Sequence, residues 1–166
     1  SAQNANIVKL LYHELPMQGV NVSMRGIKET LLSHPHYPSL QSISDYLGTL
    51  GVATMSVRIS LDQLRNALTE AEAIIFLEEK GQSYPVLIKS IGEKSFSYTS
   101  NGKKIESESL EMLDEKWKGI TLLYQTDGAM GERYYKENIQ HKQRASFYYT
   151  VAIFGIVCLL GLACYY

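Results

Sequence analysis

The sequence predicts an α+β domain followed by one membrane-spanning helix. Apolar residues recur at helical spacing up to Leu50, and they alternate as in strands from Ala53 onward. Helices that precede an antiparallel sheet are typical of the α+β class. The last twenty residues, 147–166, contain no charged side chain. We therefore expect a globular domain over 1–126, a juxtamembrane linker over 127–146 and a transmembrane helix over 147–166.

Three helices are predicted in the N-terminal part. The first is predicted to stop at Pro16, because proline removes a backbone donor, and its apolar stripe consists of Ile7, Leu10, Leu11 and Leu15. A second helix is predicted over 23–32, with Asn21 or Ser23 as its N-cap. The third begins after Ser39 and ends at Gly51, and its stripe consists of Leu40, Ile43, Leu47 and Leu50.

The remainder of the domain is predicted to be a sheet with two short helices. Strands are expected at 53–59, 73–77, 84–91, 95–99, 103–105 and 120–124, and helices at 61–68 and 110–117. Met55, Val57 and Ile59 alternate with polar residues, which is the pattern of a half-buried strand. The pair Asn101-Gly102 indicates a two-residue hairpin turn of type I′.

The segment 147–166 has the length and the flanks of a transmembrane helix. Twenty helical residues cover about 30 Å, which is the thickness of a bilayer core. Tyrosines stand at both ends, where the water–lipid boundaries would lie: Tyr148, Tyr149, Tyr165 and Tyr166. The alternative is a buried core helix. Small residues recur at every third position of the segment and would allow another helix to approach: Ala152, Gly155, Cys158, Gly161 and Cys164.

Basic residues before the span predict its direction. Short basic flanks stay on the cytoplasmic side, and four lie just upstream: Arg133, Lys136, Lys142 and Arg144. We expect no secretory signal in this sequence, because its first apolar segment, 7–15, is short and interrupted by Lys9, His13 and Glu14. We therefore expect an inner (cytoplasmic) membrane protein whose domain is cytosolic, and the chain is expected to be the first part of a larger membrane protein.

Charge and cysteine content exclude several classes of function. A net charge of −1 with evenly mixed signs does not suggest a nucleic-acid partner. Both cysteines, Cys158 and Cys164, lie in the predicted span. Residues 1–146 therefore offer no disulfide, thiolate nucleophile or thiolate–zinc site, and no cofactor is expected. A metal site at His34 and His36, with His13 nearby, is the weaker alternative to a proline-rich turn over His34-Pro35-His36-Tyr37-Pro38, with Tyr37 packed as an anchor.

That turn and its flanks resemble a known family. The run from Leu31 to Leu40, the preceding Val22-Ser23 and the helix from Ile43 to Val52 are similar to those of papain-like peptidases that process bacteriocins by removing double-glycine leaders. Those peptidases act at the cytosolic face of peptide-exporting ABC transporters. The run most resembles a degenerate branch at the N-terminus of bacterial membrane proteins that continue into a vitamin K epoxide reductase-type thiol oxidoreductase.

The resemblance implies a catalytic machinery that this sequence lacks. Active members carry a Cys at the start of the second helix, where this chain has Val22-Ser23, and a His on a later strand, where it has Ser83-Tyr84. The acidic member falls near 99–101, and Gln18 is the candidate for the oxyanion-binding glutamine. Ser23 is interpreted as a helix cap, because a serine nucleophile needs an adjacent base.

These observations predict a non-catalytic, peptidase-like binding or regulatory domain in the cytosol. The expected partners are the membrane and either a peptide or the rest of a larger membrane protein, in which an oxidoreductase would follow. The first alternative is a leader-peptide-recruiting domain of a peptide-exporting ABC transporter. The second is an active bacteriocin-processing peptidase, which the missing Cys disfavours.

Overall fold

Five helices and a six-stranded antiparallel sheet form the domain, which confirms the predicted α+β class. The computed structural model describes residues 2–102, 105–126 and 131–132, with side chains from Ile7 onward. The helices are α1 (Ala2–Met17), α2 (Met24–Leu32), α3 (Leu40–Thr49), α4 (Leu61–Ala67) and α5 (Leu110–Lys116). The strands are β1 (Ala53–Arg58), β2 (Glu72–Glu79), β3 (Gln82–Ile91), β4 (Ser95–Thr99), β5 (Glu106–Ser109) and β6 (Trp117–Gln125).

The sheet separates two apolar cores. Its strand order is β1-β6-β2-β3-β4-β5, and every neighbouring pair is antiparallel. One core joins α1, α2 and α3 to the face that carries Ile74, Leu87 and Leu122. The other core contains Leu64 of α4 and Leu113 of α5, packed on the face that carries Ile75 and Val86. Successive strand residues point to opposite faces, so β2 and β3 are buried on both sides.

The predicted helix stripes are confirmed by burial. Ile7, Leu10, Leu11 and Leu15 of α1 are buried, as are Ile27 and Leu31 of α2. Ser39 caps α3 through a capping box with Ser42. Helix α3 therefore begins where an oxygen-bearing side chain satisfies a free N–H group of the first turn.

Several details differ from the sequence-based expectations. Helix α1 includes Pro16, because a proline so near a C-terminus removes one hydrogen bond and leaves the preceding turns intact. Met55 is 61% exposed, since β1 is an edge strand. The two-residue hairpin is wrong: β5 begins at Glu106, which pairs with Tyr98. The connection is therefore longer than a type I′ turn, although Gly102 has a φ of 76°.

The predicted linker and span lie largely outside the described residues. The described part of the chain contains no helix that is both long and apolar enough to cross a bilayer, and the predicted span over 147–166 stays a prediction. Within the predicted linker, the structure describes Gly131 and Glu132, which belong to the same compact unit as the domain.

Candidate functional site at the start of helix α2

Ser23 is the N-cap of helix α2. Its backbone is extended, with φ −112° and ψ 148°, and its Oγ accepts a hydrogen bond from the N–H of Gly26 at 2.9 Å. This satisfies one of the free donors in the first turn of α2. The helix-cap interpretation of Ser23 is thereby confirmed.

A carboxylate from the other end of the described chain lies on this cap. The backbone N–H of Ser23 donates to Oε1 of Glu132 at 2.9 Å, and the Ser23 hydroxyl donates to the same oxygen at 3.2 Å. The backbone N–H of Glu132 donates in turn to the carbonyl of Asn21 at 2.8 Å. Asn21 and Gly131 form a parallel β-bridge. The residue pair Gly131–Glu132, called the 131–132 segment below, thus lies alongside the approach to α2.

Two glycines make room for this contact. A Cβ added to Gly26 would lie 2.0 Å from Oε1 of Glu132, and one added to Gly131 would lie 2.6 Å from the carbonyl oxygen of Asn21. Glycine inside a helix costs roughly 0.5–1 kcal/mol relative to alanine. At Gly26 the missing side chain is what allows the carboxylate to reach the helix terminus.

Tyr46 of α3 adds a buried polar group near the same carboxylate. The residue is 2% exposed, and its hydroxyl has no hydrogen-bond partner among the described residues. Burial raises the pKa of Tyr46, and the charge of Glu132 raises it further. The phenol therefore stays protonated, and its donor is unused among the described residues.

The other sequence-predicted peptidase positions fall on different parts of the fold. Val22 is 3% exposed and belongs to the core beneath the helices. Ser83 and Tyr84 lie at the start of β3, opposite Glu78 and Leu77 of β2. Tyr84 packs on the core of α4 and α5, so it faces away from the layer that contains Ser23. Burial raises the pKa of Tyr84.

Gln18 and Thr99 occupy the remaining two positions of that set. The Oε1 atom of Gln18 is buried and has no hydrogen-bond partner within the described part of the chain. Thr99 is buried, and its hydroxyl accepts a hydrogen bond from the N–H of Gly102 at 2.8 Å. Thr99 therefore stabilises the loop after β4.

The histidines predicted as turn residues hold the turn before α3. Nε2 of His34 lies 3.0 Å from Oδ2 of Asp45, and its Nδ1 accepts the backbone N–H of His36 at 3.2 Å. Both ring nitrogens of His34 are thus engaged. The Tyr37–Pro38 peptide is cis, and Tyr37 packs against the helical core as expected of an anchor. His13 lies elsewhere, against Gly102. Among the described residues, no group of three or more His, Cys, Asp and Glu side chains could hold a metal.

A buried ion pair that the sequence analysis did not identify joins α1 to β3. The ammonium of Lys89 binds the carboxylate of Glu14, which is 2% exposed. Burial raises the pKa of the neighbouring Glu72 carboxyl. The charge of Lys89 lowers this pKa, and the charge of Glu14 raises it. Glu72 also lines a cleft of about 590 Å³. The sequence does indicate a buried charge here, because Glu14 lies three residues after Leu11 on the apolar stripe of α1.

A layer of helices packed on one face of a six-stranded antiparallel sheet, with Ser23 capping α2, is the arrangement of a papain-like α+β domain. The model of the peptidase C39 family matches residues 15–128, which is more than half of the chain. The chain belongs to this family. No curated protein matches the chain.

Solved peptidase domains share the fold. The peptidase domain of Streptococcus ComA, a bifunctional ABC transporter in a quorum-sensing pathway, superposes with a TM-score of 0.60 at 15% identity, over 75% of this chain and 92% of that one. The N-terminal peptidase C39-like domain of a toxin secretion ATP-binding protein from Vibrio parahaemolyticus gives 0.58 at 17% identity, over 74% and 97% of the two chains. At these identities the similarity establishes the fold.

Proposed function

We propose that this domain binds a peptide without cleaving it, at the cytosolic face of a membrane to which the C-terminal segment attaches it. The observation that carries the proposal is the state of Ser23. Its hydroxyl accepts a hydrogen bond from the N–H of Gly26 and donates one to the carboxylate of Glu132. In the described part of the chain neither partner of this hydroxyl is an imidazole.

The chemistry of the two partners argues against a nucleophilic serine. Carboxylates are weaker bases than imidazole, so a carboxylate is poorly matched to removing a hydroxyl proton. Attack on a peptide carbonyl would also take Oγ away from the Gly26 N–H and leave that donor free. At the position where the catalytic base is expected, this chain has Tyr84, whose side chain packs on the opposite face of the sheet.

Incubation of the full chain with a double-glycine leader peptide tests the proposal. We expect the peptide to bind, as measured by fluorescence polarisation, and to remain intact by mass spectrometry. Ser23→Ala should leave the zero rate of cleavage unchanged. Cleavage by the native chain that disappears in Ser23→Ala would contradict the proposal, and so would a peptide that neither binds nor is cleaved.

We also propose that the domain belongs to a non-catalytic branch of the family. The His34-Pro35-His36-Tyr37-Pro38 run supports the branch found at the N-terminus of vitamin K epoxide reductase-type membrane proteins. The second candidate is a leader-peptide-recruiting domain of an exporter, which is favoured by the transporter domains that share the fold. Reading the gene beyond Tyr166 separates the two: later catalytic cysteines support the first, and an ATPase with a phosphate-binding loop supports the second.

A further inference from the structure

The start of α2 has the features of an anion site, and a carboxylate is bound there. Aligned peptide dipoles and free N–H groups attract negative charge to a helix N-terminus. Helix α2 has nine residues, so it presents a complete first turn. The carboxylate of Glu132 accepts two hydrogen bonds from Ser23, one from the backbone and one from the side chain.

Three further observations show that the contact is built into the fold. Gly26 lacks the Cβ that would displace Oε1 of Glu132. Gly131 lacks the Cβ that would collide with Asn21. The hydroxyl of Tyr46 is buried without a partner among the described residues, and the charge of Glu132 raises its pKa.

We propose that the start of α2, with Ser23, Gly26 and Tyr46, is a carboxylate-binding site for an extended acidic peptide segment, and that the 131–132 segment of the same chain is its resident occupant. An acidic peptide from outside must displace this segment to bind. Displacement breaks the contacts of residues 131–132 with Asn21 and Ser23. Occupation of the site by a peptide and attachment of residues 131–132 are therefore mutually exclusive.

The ligand class follows from the contacts. The two Ser23 donors converge on one carboxylate oxygen, and charge-assisted hydrogen bonds of this kind are about twice as strong as neutral ones. The backbone bond from Glu132 to Asn21 and the neighbouring β-bridge require an extended main chain. The ligand is thus a peptide with an acidic side chain directly after a glycine. This inference rests on the proposed peptide-binding function for the entry of an external peptide.

The test uses the full chain in detergent micelles and a labelled peptide, GAMGERYY, which reproduces residues 128–135. We expect weak binding to the native chain, because the site is occupied. Glu132→Ala empties the site and should tighten binding of the peptide at least about tenfold. A peptide with glutamine in place of its glutamate should lose about tenfold in affinity for the same variant. Adding Gly26→Ala should abolish the gain.

Controls keep the test independent of folding. Glu93→Ala removes an exposed carboxylate elsewhere and should behave as the native chain does. If Glu132→Ala does not fold, Gly131→Val is the second variant, since its side chain would meet Asn21 and displace the segment. In either variant, hydrogen exchange of the Ser23 amide should accelerate, because its acceptor has left.

Two results would overturn the inference. Equal affinity of GAMGERYY for the native chain and for Glu132→Ala is one, and unchanged exchange at Ser23 is the other. A leader peptide that binds both proteins equally, when GAMGERYY binds neither, removes this inference and leaves the proposed function standing. Failure of both peptides to bind Glu132→Ala overturns the two proposals together.

Discussion

The carboxylate of Glu132 lies over the backbone of Gly26, so close that a Cβ on this glycine would come within 2.0 Å of Oε1. The two residues are far apart in sequence, and Ser23 connects them through hydrogen bonds to both. Ser23 is thus both a helix cap and a donor to a bound carboxylate.

Gly26→Ala should fail to stabilise the protein, although alanine favours helices over glycine by about 1 kcal/mol. The new methyl group displaces Glu132, and the lost hydrogen bonds offset the gain. In the Glu132→Ala background, the same substitution should raise the free energy of unfolding by about 1 kcal/mol. Gly48→Ala is the matched control, because that helical glycine has nothing within 4 Å. A gain from Gly26→Ala equal to that of Gly48→Ala would contradict the contact.

Ser23→Ala should lower the free energy of unfolding by about 2 kcal/mol, since it removes both a helix cap and a bond to a carboxylate. Ser60→Ala, which removes the cap of α4, should cost about 1 kcal/mol. Chemical denaturation measures both values. In the Glu132→Ala background the difference between the two substitutions should disappear, and a difference that persists would argue against coupling.

Lys89→Met should destabilise the domain by about 3 kcal/mol, because it leaves the buried carboxylate of Glu14 without its partner. The double variant Glu14→Leu/Lys89→Met should recover most of this loss. Lys118→Met breaks an exposed pair with Glu78 and should change stability by less than about 0.5 kcal/mol. Similar losses for the two lysines would show that burial does not matter at Glu14.

Glu72→Gln should stabilise the protein at neutral pH and not in acid. Burial raises the pKa of Glu72 in the folded state, so protonated Glu72 stabilises the fold relative to its ionised form. This stabilisation is fully present below the pKa of the unfolded chain and is lost as the pH rises through the folded pKa. The gain at pH 7 should be on the order of 0.5 kcal/mol, because partial exposure screens the charge. Glu79→Gln is the opposite control, since hydrogen bonding to Lys116 lowers the pKa of Glu79. In thermal melts from pH 4 to 7, the melting temperature of Glu72→Gln relative to the native chain should rise with pH, and that of Glu79→Gln should fall.

A cysteine at Ser107 should react with a membrane-impermeant reagent only after the cells are broken. The side chain at this position on β5 is exposed, and residues 1–146 contain no native thiol. Cys158 and Cys164 are first changed to Ala. Labelling of intact, sealed spheroplasts would show that the domain is outside, and the predicted cytosolic orientation would be wrong.

The sequence alone determined the features that depend on near neighbours. The stripes of α1 and α3, the Ser23 and Ser39 caps and the α+β order could be predicted, because helix periodicity and capping act over three or four residues. The cap role of Ser23 was predictable for the same reason. The predicted type I′ turn at Asn101-Gly102 was wrong, because the register of β4 and β5 is fixed by the pairing of whole strands.

Only the tertiary structure decided what lies at that cap. Glu132 belongs to a stretch that reads as a polar linker, and nothing local marks it as a partner of Asn21 and Ser23. In the sequence, Gly26 is only a residue that weakens a helix, and the structure shows that the carboxylate of Glu132 occupies the space of its missing side chain. Likewise, Glu14 lies on the apolar stripe of α1, and only the fold brings the ammonium of Lys89 to it from a distant strand. In each case a charge is stabilised by a group distant in sequence, and chain folding alone brings the two together.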